Sequence, residues 1–119
     1  VKEGQLDLKA IVVVAQKSAG AENLLQAIRA ETPYHPLHVA DGRAALEIVR
    51  SVKPHLFLLD THLPDMTGFE LYDQLHRITG LEEVPALFLP AQVWLSFPSS
   101  SEMPFEWDHL LSMLEELLA

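Results

Sequence analysis

Four short apolar runs divide this 119-residue chain, and segments with helical periodicity separate them. A short apolar run that is rich in β-branched or aliphatic residues and bounded by turn residues predicts a buried strand. Strands that alternate with helices at this spacing predict a parallel sheet with helices on both faces and right-handed crossovers. The predicted strands are residues 9–15, 37–40, 55–60 and 84–89.

The helices are predicted from apolar residues that recur every three or four positions. Residues 18–21 are small and are interpreted as a turn before a first helix over residues 22–30. Asp41 is interpreted as the start of the second helix rather than part of a hairpin turn, because the residues after it have a helical period. A third helix is predicted over residues 68–78, and an amphipathic last helix over residues 105–118.

The segment between the fourth strand and the last helix is too short for a full crossover, which takes about a dozen residues before the next strand begins. Residues 91–102 therefore predict a fourth helix that is missing or truncated to about one turn. They also predict a fifth strand that is short or is formed by residues 93–97. The side chains of Trp94, Leu95 and Phe97 either form an exposed contact surface or cover the core that the lost helix leaves open.

The composition excludes several kinds of partner and site. A formal net charge of −9 argues against binding nucleic acid or anionic membrane surfaces, since both are bound through Lys and Arg. The chain has no cysteine, so disulfides and thiolate chemistry are excluded. It has neither an apolar stretch of roughly 18 residues nor a visible signal peptide, so we expect a cytoplasmic protein. We expect one domain over residues 1–119, and the start at Val1 instead of Met indicates a fragment of a longer protein.

Metal sites and common enzyme sites receive little support. His35 with His38, or His55 with His62, are the histidine pairs closest to ligand spacing, but neither spacing matches a metal signature. A Ser-His-Asp hydrolase would need a Gly-x-Ser-x-Gly turn, which the sequence lacks, and no Gly-x-Gly-x-x-Gly follows the first strand to bind a nucleotide. We therefore predict no metal site and no enzymatic activity.

Asp60 ends the third apolar run and is followed by a loop that contains Leu63-Pro64-Asp65-Met66-Thr67-Gly68. This segment resembles the strand, phosphoacceptor aspartate and proline-to-glycine loop of the receiver domain of two-component response regulators. Residues 40–46, 84–89 and 103–105 are similar to the start of that family's second helix, its fourth strand and the Lys-Pro-Phe before its last helix. The resemblance extends from about residue 10 to residue 118. It implies a three-layer, doubly wound, flavodoxin/CheY-like α/β fold.

The sequence departs from the family at the positions that the resemblance assigns to phosphoryl chemistry. Ala15 and Gln16 stand where the family has an acidic pair that holds Mg²⁺, Pro90 where it has a Ser or Thr, and Met103 where it has a Lys. Each hydrogen bond to a charged group is worth roughly 1.5–3 kcal/mol, and the metal contributes several more. Losing the two acids, the hydroxyl and the lysine together removes on the order of 8 kcal/mol of stabilisation of phosphoryl transfer, which corresponds to about six decades in rate. The resemblance therefore implies a degenerate pseudo-receiver in which Mg²⁺ binding is lost or weak.

The resemblance implies a receiver-like signalling domain of a two-component or phosphorelay system that is phosphorylation-deficient and acts by protein–protein interaction. Its partner would be another protein, a neighbouring domain or a second copy in a homodimer. The candidate interface residues are Trp94, Leu95, Phe97 and Trp107. The alternative is a functional phosphoacceptor that receives a phosphoryl group from a histidine kinase on Asp60. A third interpretation is a ligand binder with a pocket beside Ala15, Asp60 and Pro90.

Overall fold

Strands and helices alternate along the chain in the order that the sequence predicts. The computed structural model describes residues 9–97 and 105–118. In these residues the elements are β1 (Ala10–Val14), α1 (Ala19–Glu31), β2 (His35–Val39), α2 (Gly42–Ile48), β3 (Leu56–Asp60), α3 (Gly68–His76), β4 (Ala86–Leu89), α4 (Ala91–Ser96) and α5 (Phe105–Leu118).

The four strands form one parallel sheet in the order β2-β1-β3-β4. β1 and β3 are central, and every residue in them is buried. Strands covered on both faces have no polar side, which explains why these two runs are almost entirely apolar. The register aligns Val14 with Leu59 and Asp60 with Leu89, so the carboxyl ends of three strands meet at one edge. The predicted doubly wound parallel α/β fold is confirmed.

Side chains that alternate along the strands divide the core into two clusters, one on each face of the sheet. Leu56 and Leu58 of β3 belong to the cluster that α1, α4 and α5 cover. Phe57 and Leu59 belong to the cluster that α2 and α3 cover. The first face is called the α1 face below, and the second the α3 face.

Three helices begin at polar residues whose side chains accept backbone hydrogen bonds. Ser18 and Asp41 each accept from the amide three residues later, at 3.0 and 2.8 Å. Thr67 and Glu70 form a reciprocal capping box at the start of α3. The interpretation of Asp41 as a helix start is confirmed. Residues 18–21 are not a turn, however, because the Ser18 cap allows α1 to begin one residue later.

α4 is the truncated fourth helix that the sequence predicts, with six residues. The alternative of a strand over residues 93–97 is wrong. A helix turns the Trp94 side chain into the core, where its Nε1 donates to the carbonyl of Leu89 at 2.8 Å. The described residues contain no fifth strand. Residues 98–104, where a short fifth strand would lie, are outside the described part of the chain.

Three of the four candidate interface residues are buried. Trp94 is 2%, Phe97 5% and Trp107 2% exposed. They pack into the cluster of the α1 face, where the rings of Phe97 and Trp107 meet edge to face at 5.9 Å. Trp94 and Phe97 therefore cover the core beside the short helix, which is the second of the two alternatives that the sequence leaves open, and Trp107 is buried with them. Leu95, which is 69% exposed, is the member of the set that reaches solvent.

Candidate functional site at the carboxyl edge of the sheet

Asp60 ends β3 and is a buried charged residue, with 7% of its surface exposed. Its Oδ1 accepts a hydrogen bond from the backbone N–H of His62 at 3.1 Å. The carboxylate therefore lies at the carboxyl edge of the sheet, where open α/β sheets place their ligand-binding residues. The sequence predicts this placement from the position of Asp60 at the end of an apolar run.

The loop after Asp60 folds back onto the end of β3. The backbone N–H of Gly68 donates to the carbonyl of Thr61 at 2.9 Å, and His62 pairs with Thr67 in an isolated antiparallel bridge. A Cβ atom on Gly68 would lie 2.3 Å from the backbone oxygen of Asp60. Close backbone approach thus requires glycine at this position, and the loop holds the peptide of Asp60 in place.

Asp65 ties the same loop to the start of α2. Its two carboxylate oxygens accept hydrogen bonds from the backbone N–H groups of Gly42 at 3.0 Å and Arg43 at 2.9 Å. Burial acts to raise the pKa of Asp65, but these amides and the Arg43 charge outweigh it and hold the pKa below its ordinary value. The contact spans 23 positions in the sequence, so no local pattern predicts it. The hydrogen bonds of the Asp65 carboxylate are therefore made to the start of α2 and not to the surroundings of Asp60.

The positions that would hold metal and phosphate offer few ligands in the described part of the chain. Ala15 is buried, and its carbonyl oxygen is hydrogen-bonded to Nε2 of His38 at 2.8 Å. Gln16 and Pro90 are exposed, and Pro90 begins α4 without a side-chain cap. Met103 lies outside the described residues.

A cavity of about 280 Å³ opens beside Asp60, and α4 forms one of its walls. The carbonyl of Trp94 accepts a long hydrogen bond from Oγ of Ser18 at 3.5 Å, and the carbonyl of Phe97 accepts one from Nδ2 of Asn23 at 2.9 Å. These bonds fix α4 and the residue after it against α1. The lining residues are Gln16, Lys17, Ser18, Asp60, His62, Ala91, Trp94 and Leu95. The ligand-binder interpretation requires a pocket beside Ala15, Asp60 and Pro90, but this cavity is lined by Gln16 and Ala91 rather than by Ala15 and Pro90.

The donors around this cavity do not fit a Mg²⁺ site. Mg²⁺ takes oxygen ligands and is usually bound through carboxylates, and Asp60 is the one carboxylate that lines the cavity among the described residues. Lys17, on the same lining, brings a positive charge that opposes a divalent cation. The described residues also contain no group of three or more His, Cys, Asp or Glu side chains placed to hold a metal ion.

Several histidines make contacts with the backbone instead of pairing with each other. Nδ1 of His55 accepts from the N–H of Ala10 at 3.1 Å, and Nε2 of His76 is hydrogen-bonded to the carbonyl of Val84 at 2.8 Å. His38 binds a carbonyl at the end of β1 in the same way. The sequence does not predict these roles, because each partner lies in another element.

No helix in the described residues has the length and apolar character needed to span a bilayer.

The comparisons with known proteins agree on one family. The DNA-binding response regulator MtrA of Mycobacterium tuberculosis is 35% identical over 82 residues, which cover 69% of this chain and 34% of that protein. A "Probable cyclic di-GMP phosphodiesterase" of Vibrio cholerae is 34% identical over 65 residues, which cover 55% of this chain and 14% of that protein. Among solved structures, the chemotaxis response regulator CheY4 of Vibrio cholerae superposes with a TM-score of 0.74 at 20% identity, covering 92% of this chain and 98% of that one.

The match to the family itself extends over most of the chain. The response regulator receiver domain matches residues 11–95, which is 85 of the 119 residues. The matches span only about a third of MtrA and a seventh of the phosphodiesterase. The matched segment runs from the second residue of β1 through most of α4, and it includes Asp60 and the loop that follows it. This chain therefore belongs to the response regulator receiver domain family of two-component systems.

Proposed function

We propose that this receiver domain is a phosphorylation-deficient signalling module that acts in the cytoplasm through protein contacts. One observation carries the proposal: among the described residues Asp60 is the lone carboxylate of its cavity, so a Mg²⁺ ion would find no second acid beside it. Phosphoryl transfer needs charge neutralisation around the incoming group, and Ala15, Gln16 and Pro90 supply none of it. Such a domain keeps one shape, or responds to a partner rather than to phosphate.

The groups that remain around Asp60 do not replace the missing metal ligands. The backbone N–H of His62 contributes one hydrogen bond to the carboxylate, which is worth roughly 1.5–3 kcal/mol. Asp65, the nearest other acid of the loop, is held by the amides of Gly42 and Arg43. We propose that Mg²⁺ binding is lost or weak for this reason.

The direct test is incubation of the chain with acetyl phosphate and Mg²⁺, followed by intact-mass measurement. We expect no gain of a phosphoryl group on the wild-type chain and none on Asp60→Asn. A receiver domain that phosphorylates itself from the same donor serves as the positive control. A phosphoryl adduct that appears on the wild type and disappears with Asp60→Asn would refute the proposal.

The same measurement can be made on a variant in which the missing groups around Asp60 are restored. The triple variant Ala15→Asp, Gln16→Asp and Pro90→Thr restores two acids and a hydroxyl at the positions that the family uses. We expect faster modification of Asp60 in this variant than in the wild type, with thermal unfolding checked in parallel because Ala15 is buried. Equal and measurable rates in the two chains would show that these positions do not limit phosphorylation.

The alternative is a working phosphoacceptor that a histidine kinase phosphorylates on Asp60. One observation favours it: Asp60 borders an open cavity and is held by an intact proline-to-glycine loop. Purified histidine kinases loaded with labelled phosphate decide between the two functions, since transfer to the chain requires Asp60 to be reactive. Transfer that depends on Asp60 would make the domain a switch rather than a constant contact module.

The rest of the parent protein is a separate proposal. The relatives that match this chain are much longer, and their names assign DNA binding to one and phosphodiesterase activity to the other. We propose that this domain belongs to a longer regulatory protein and contacts a neighbouring domain, another protein or a second copy. The net charge of −9 argues against nucleic-acid binding by the domain itself. Pull-down from the native host with the full-length gene product tests which partner is bound.

A further inference from the structure

The cavity beside Asp60 is bordered by the loop before α1, the loop after β3 and the helix α4. All eight of its lining residues lie in the described part of the chain, and its volume is about 280 Å³. Pockets that take small molecules begin at about 300 Å³, so the space suits a ligand at the small end of that class. The charges on its lining indicate which small molecule it can bind.

Asp60 gives the cavity a buried acceptor of hydrogen bonds. The residue is 7% exposed, and its Oδ1 accepts from the backbone N–H of His62 at 3.1 Å. Its other oxygen, Oδ2, accepts no hydrogen bond from another described residue. Because Asp60 lines the cavity, Oδ2 is the oxygen that remains for a ligand. A carboxylate oxygen favours a donor that carries a positive charge.

Lys17 places the opposite charge on the same lining. Neither Lys17 nor Asp60 belongs to an ion pair among the described residues, so the two charges share one small space without pairing. The helix α1, which has 13 residues, begins two positions after Lys17 and directs the positive end of its dipole to this side. This side of the cavity therefore favours a carboxylate.

The helix α4 supplies an apolar wall. Ala91 and Leu95 line the cavity, and Leu95 is 69% exposed. The hydrogen bond from Oγ of Ser18 to the carbonyl of Trp94 holds this wall beside the loop that carries Lys17. An apolar group of a ligand that covers Leu95 removes apolar surface from water, which favours binding.

A ligand with a single charge suits this lining poorly. An anion gains from Lys17 but is repelled by Asp60, and a cation gains from Asp60 but is repelled by Lys17. A molecule that carries an ammonium group and a carboxylate can be attracted by both side chains at once.

We propose that this cavity binds a free α-amino acid with an apolar side chain. Its ammonium group would donate to Asp60, its carboxylate would lie beside Lys17, and its side chain would cover Leu95. The inference goes beyond the proposed function, because a domain that acts through protein contacts does not require a ligand.

The test uses the isotope-labelled 119-residue chain and three small molecules. L-leucine carries both charges, L-leucinamide lacks the carboxylate, and isocaproate lacks the ammonium group. At about pH 6 the amino groups of the first two are protonated. We expect L-leucine to shift the amide resonances of Lys17, Ser18 and His62 with a dissociation constant of about 1 mM or lower. Each of the other two should bind at least about ten-fold more weakly, because each loses one hydrogen bond between charged groups.

Variants assign each charge of the ligand to one side chain. We expect Lys17→Gln to weaken L-leucine at least about ten-fold and to leave L-leucinamide unchanged, because the amide has no carboxylate for Lys17 to attract. Asp60→Asn should weaken L-leucine by a similar factor without weakening isocaproate, which has no ammonium group. Lys53→Gln and Glu31→Gln remove exposed charges outside the cavity and are the controls.

Three results would overturn the inference. The first is the absence of shifts at residues 16–18 and 60–62 when L-leucine is present at about ten-fold above the expected dissociation constant. The second is equal binding of the three molecules, because the two charges would then recognise nothing. The third is a set of shifts that lies wholly outside the cavity. Phosphoryl transfer to Asp60 would refute only the proposed function, whereas absent binding of L-leucine would refute only the assignment of this ligand.

Discussion

The two faces of the sheet differ beside β4 in how far their aromatic side chains are buried. On the α1 face, the short helix α4 and the residue after it place Trp94 and Phe97 over the core, and both side chains are buried. On the α3 face, Phe69 stacks on β4 and stays 58% exposed. α4 contributes its buried side chain Trp94 to the cluster of the α1 face. α4 therefore closes the α1 face, whereas an aromatic side chain of the α3 face stays exposed to solvent.

The largest effect expected on the α1 face is the loss of the Trp94 side chain. Trp94→Ala removes a ring that is 2% exposed, together with its hydrogen bond to the Leu89 carbonyl. We expect the free energy of unfolding to fall by about 4 kcal/mol, as measured by urea denaturation. Leu95→Ala, on the same helix but 69% exposed, is the control and should change it by no more than about 0.5 kcal/mol. A small effect of Trp94→Ala would mean that α4 does not close the α1 face.

Gly20 tests how closely α4 approaches α1. A Cβ atom at Gly20 would lie 1.8 Å from the backbone oxygen of Trp94, so Gly20→Ala must push the helices apart. We expect a loss of about 2–3 kcal/mol in the free energy of unfolding. Gly42→Ala is the matched variant on the α3 face, where the three atoms nearest the new Cβ all belong to the flexible side chain of Met66. It should cost about 1 kcal/mol or less, and equal costs for the two variants would remove the difference between the faces.

Most of the fold is predictable because its signals are local. The apolar runs of β1 and β3 mark central strands, and Asp41 marks the start of α2, since the cap and the helical period lie within a few residues of each other. The position of Asp60 at the end of β3 can be predicted in the same way, because the apolar run before it shows where the strand ends. Ser18 carries an equally local signal, the N-cap preference of serine, which the small residues after it obscured.

The contacts that complete the site are not predictable in this way. The apolar segment around Trp94 is equally compatible with an exposed interface and with a segment that covers the core. Hydrophobicity alone does not specify which surface an apolar side chain contacts. The bonds from Asp65 to the amides of Gly42 and Arg43 join elements 23 and 22 positions apart. Their existence depends on how the loop after β3 meets α2, which only the assembled sheet determines.

Asp65 provides a smaller effect on the α3 face. Asp65→Ala removes two hydrogen bonds to the amides at the start of α2, and we expect a loss of about 1 kcal/mol at neutral pH. Glu47→Ala is the control. It removes an exposed acid of α2 whose Oε2 lies 4.0 Å from a guanidinium nitrogen of Arg50, and it should leave the free energy of unfolding almost unchanged. Equal effects of the two variants in urea denaturation would show that the loop does not stabilise α2.

The contribution of Asp65 also has a defined pH dependence. Its pKa is lower in the folded chain than its ordinary value of 3.8, so the ionised carboxylate stabilises the folded state. This stabilisation is complete above the ordinary value and disappears as the pH falls through the lower pKa of the folded chain. The difference in unfolding free energy between the wild type and Asp65→Ala should therefore be constant near neutrality and vanish in strong acid. A difference that grows on acidification would have the wrong sign.

The smallest expected effect belongs to Phe69. Phe69→Ala removes a ring that is 58% exposed and stacked on Phe88, and it should lower the free energy of unfolding by no more than about 1 kcal/mol. Phe57→Ala is the matched variant, since Phe57 is the same residue type in the cluster of the same face but is fully buried. It should cost about 3–5 kcal/mol.

The pair of phenylalanine variants decides whether the α3 face is open in the free chain. If Phe69→Ala costs nearly as much as Phe57→Ala, something covers the Phe69 ring, and a partner could not reach it without displacing that cover. A cost that rises with protein concentration would identify the cover as a second copy, since self-association adds to stability by mass action. A small cost at every concentration leaves the ring free. An exposed ring that contributes little to folding keeps its apolar area available for binding.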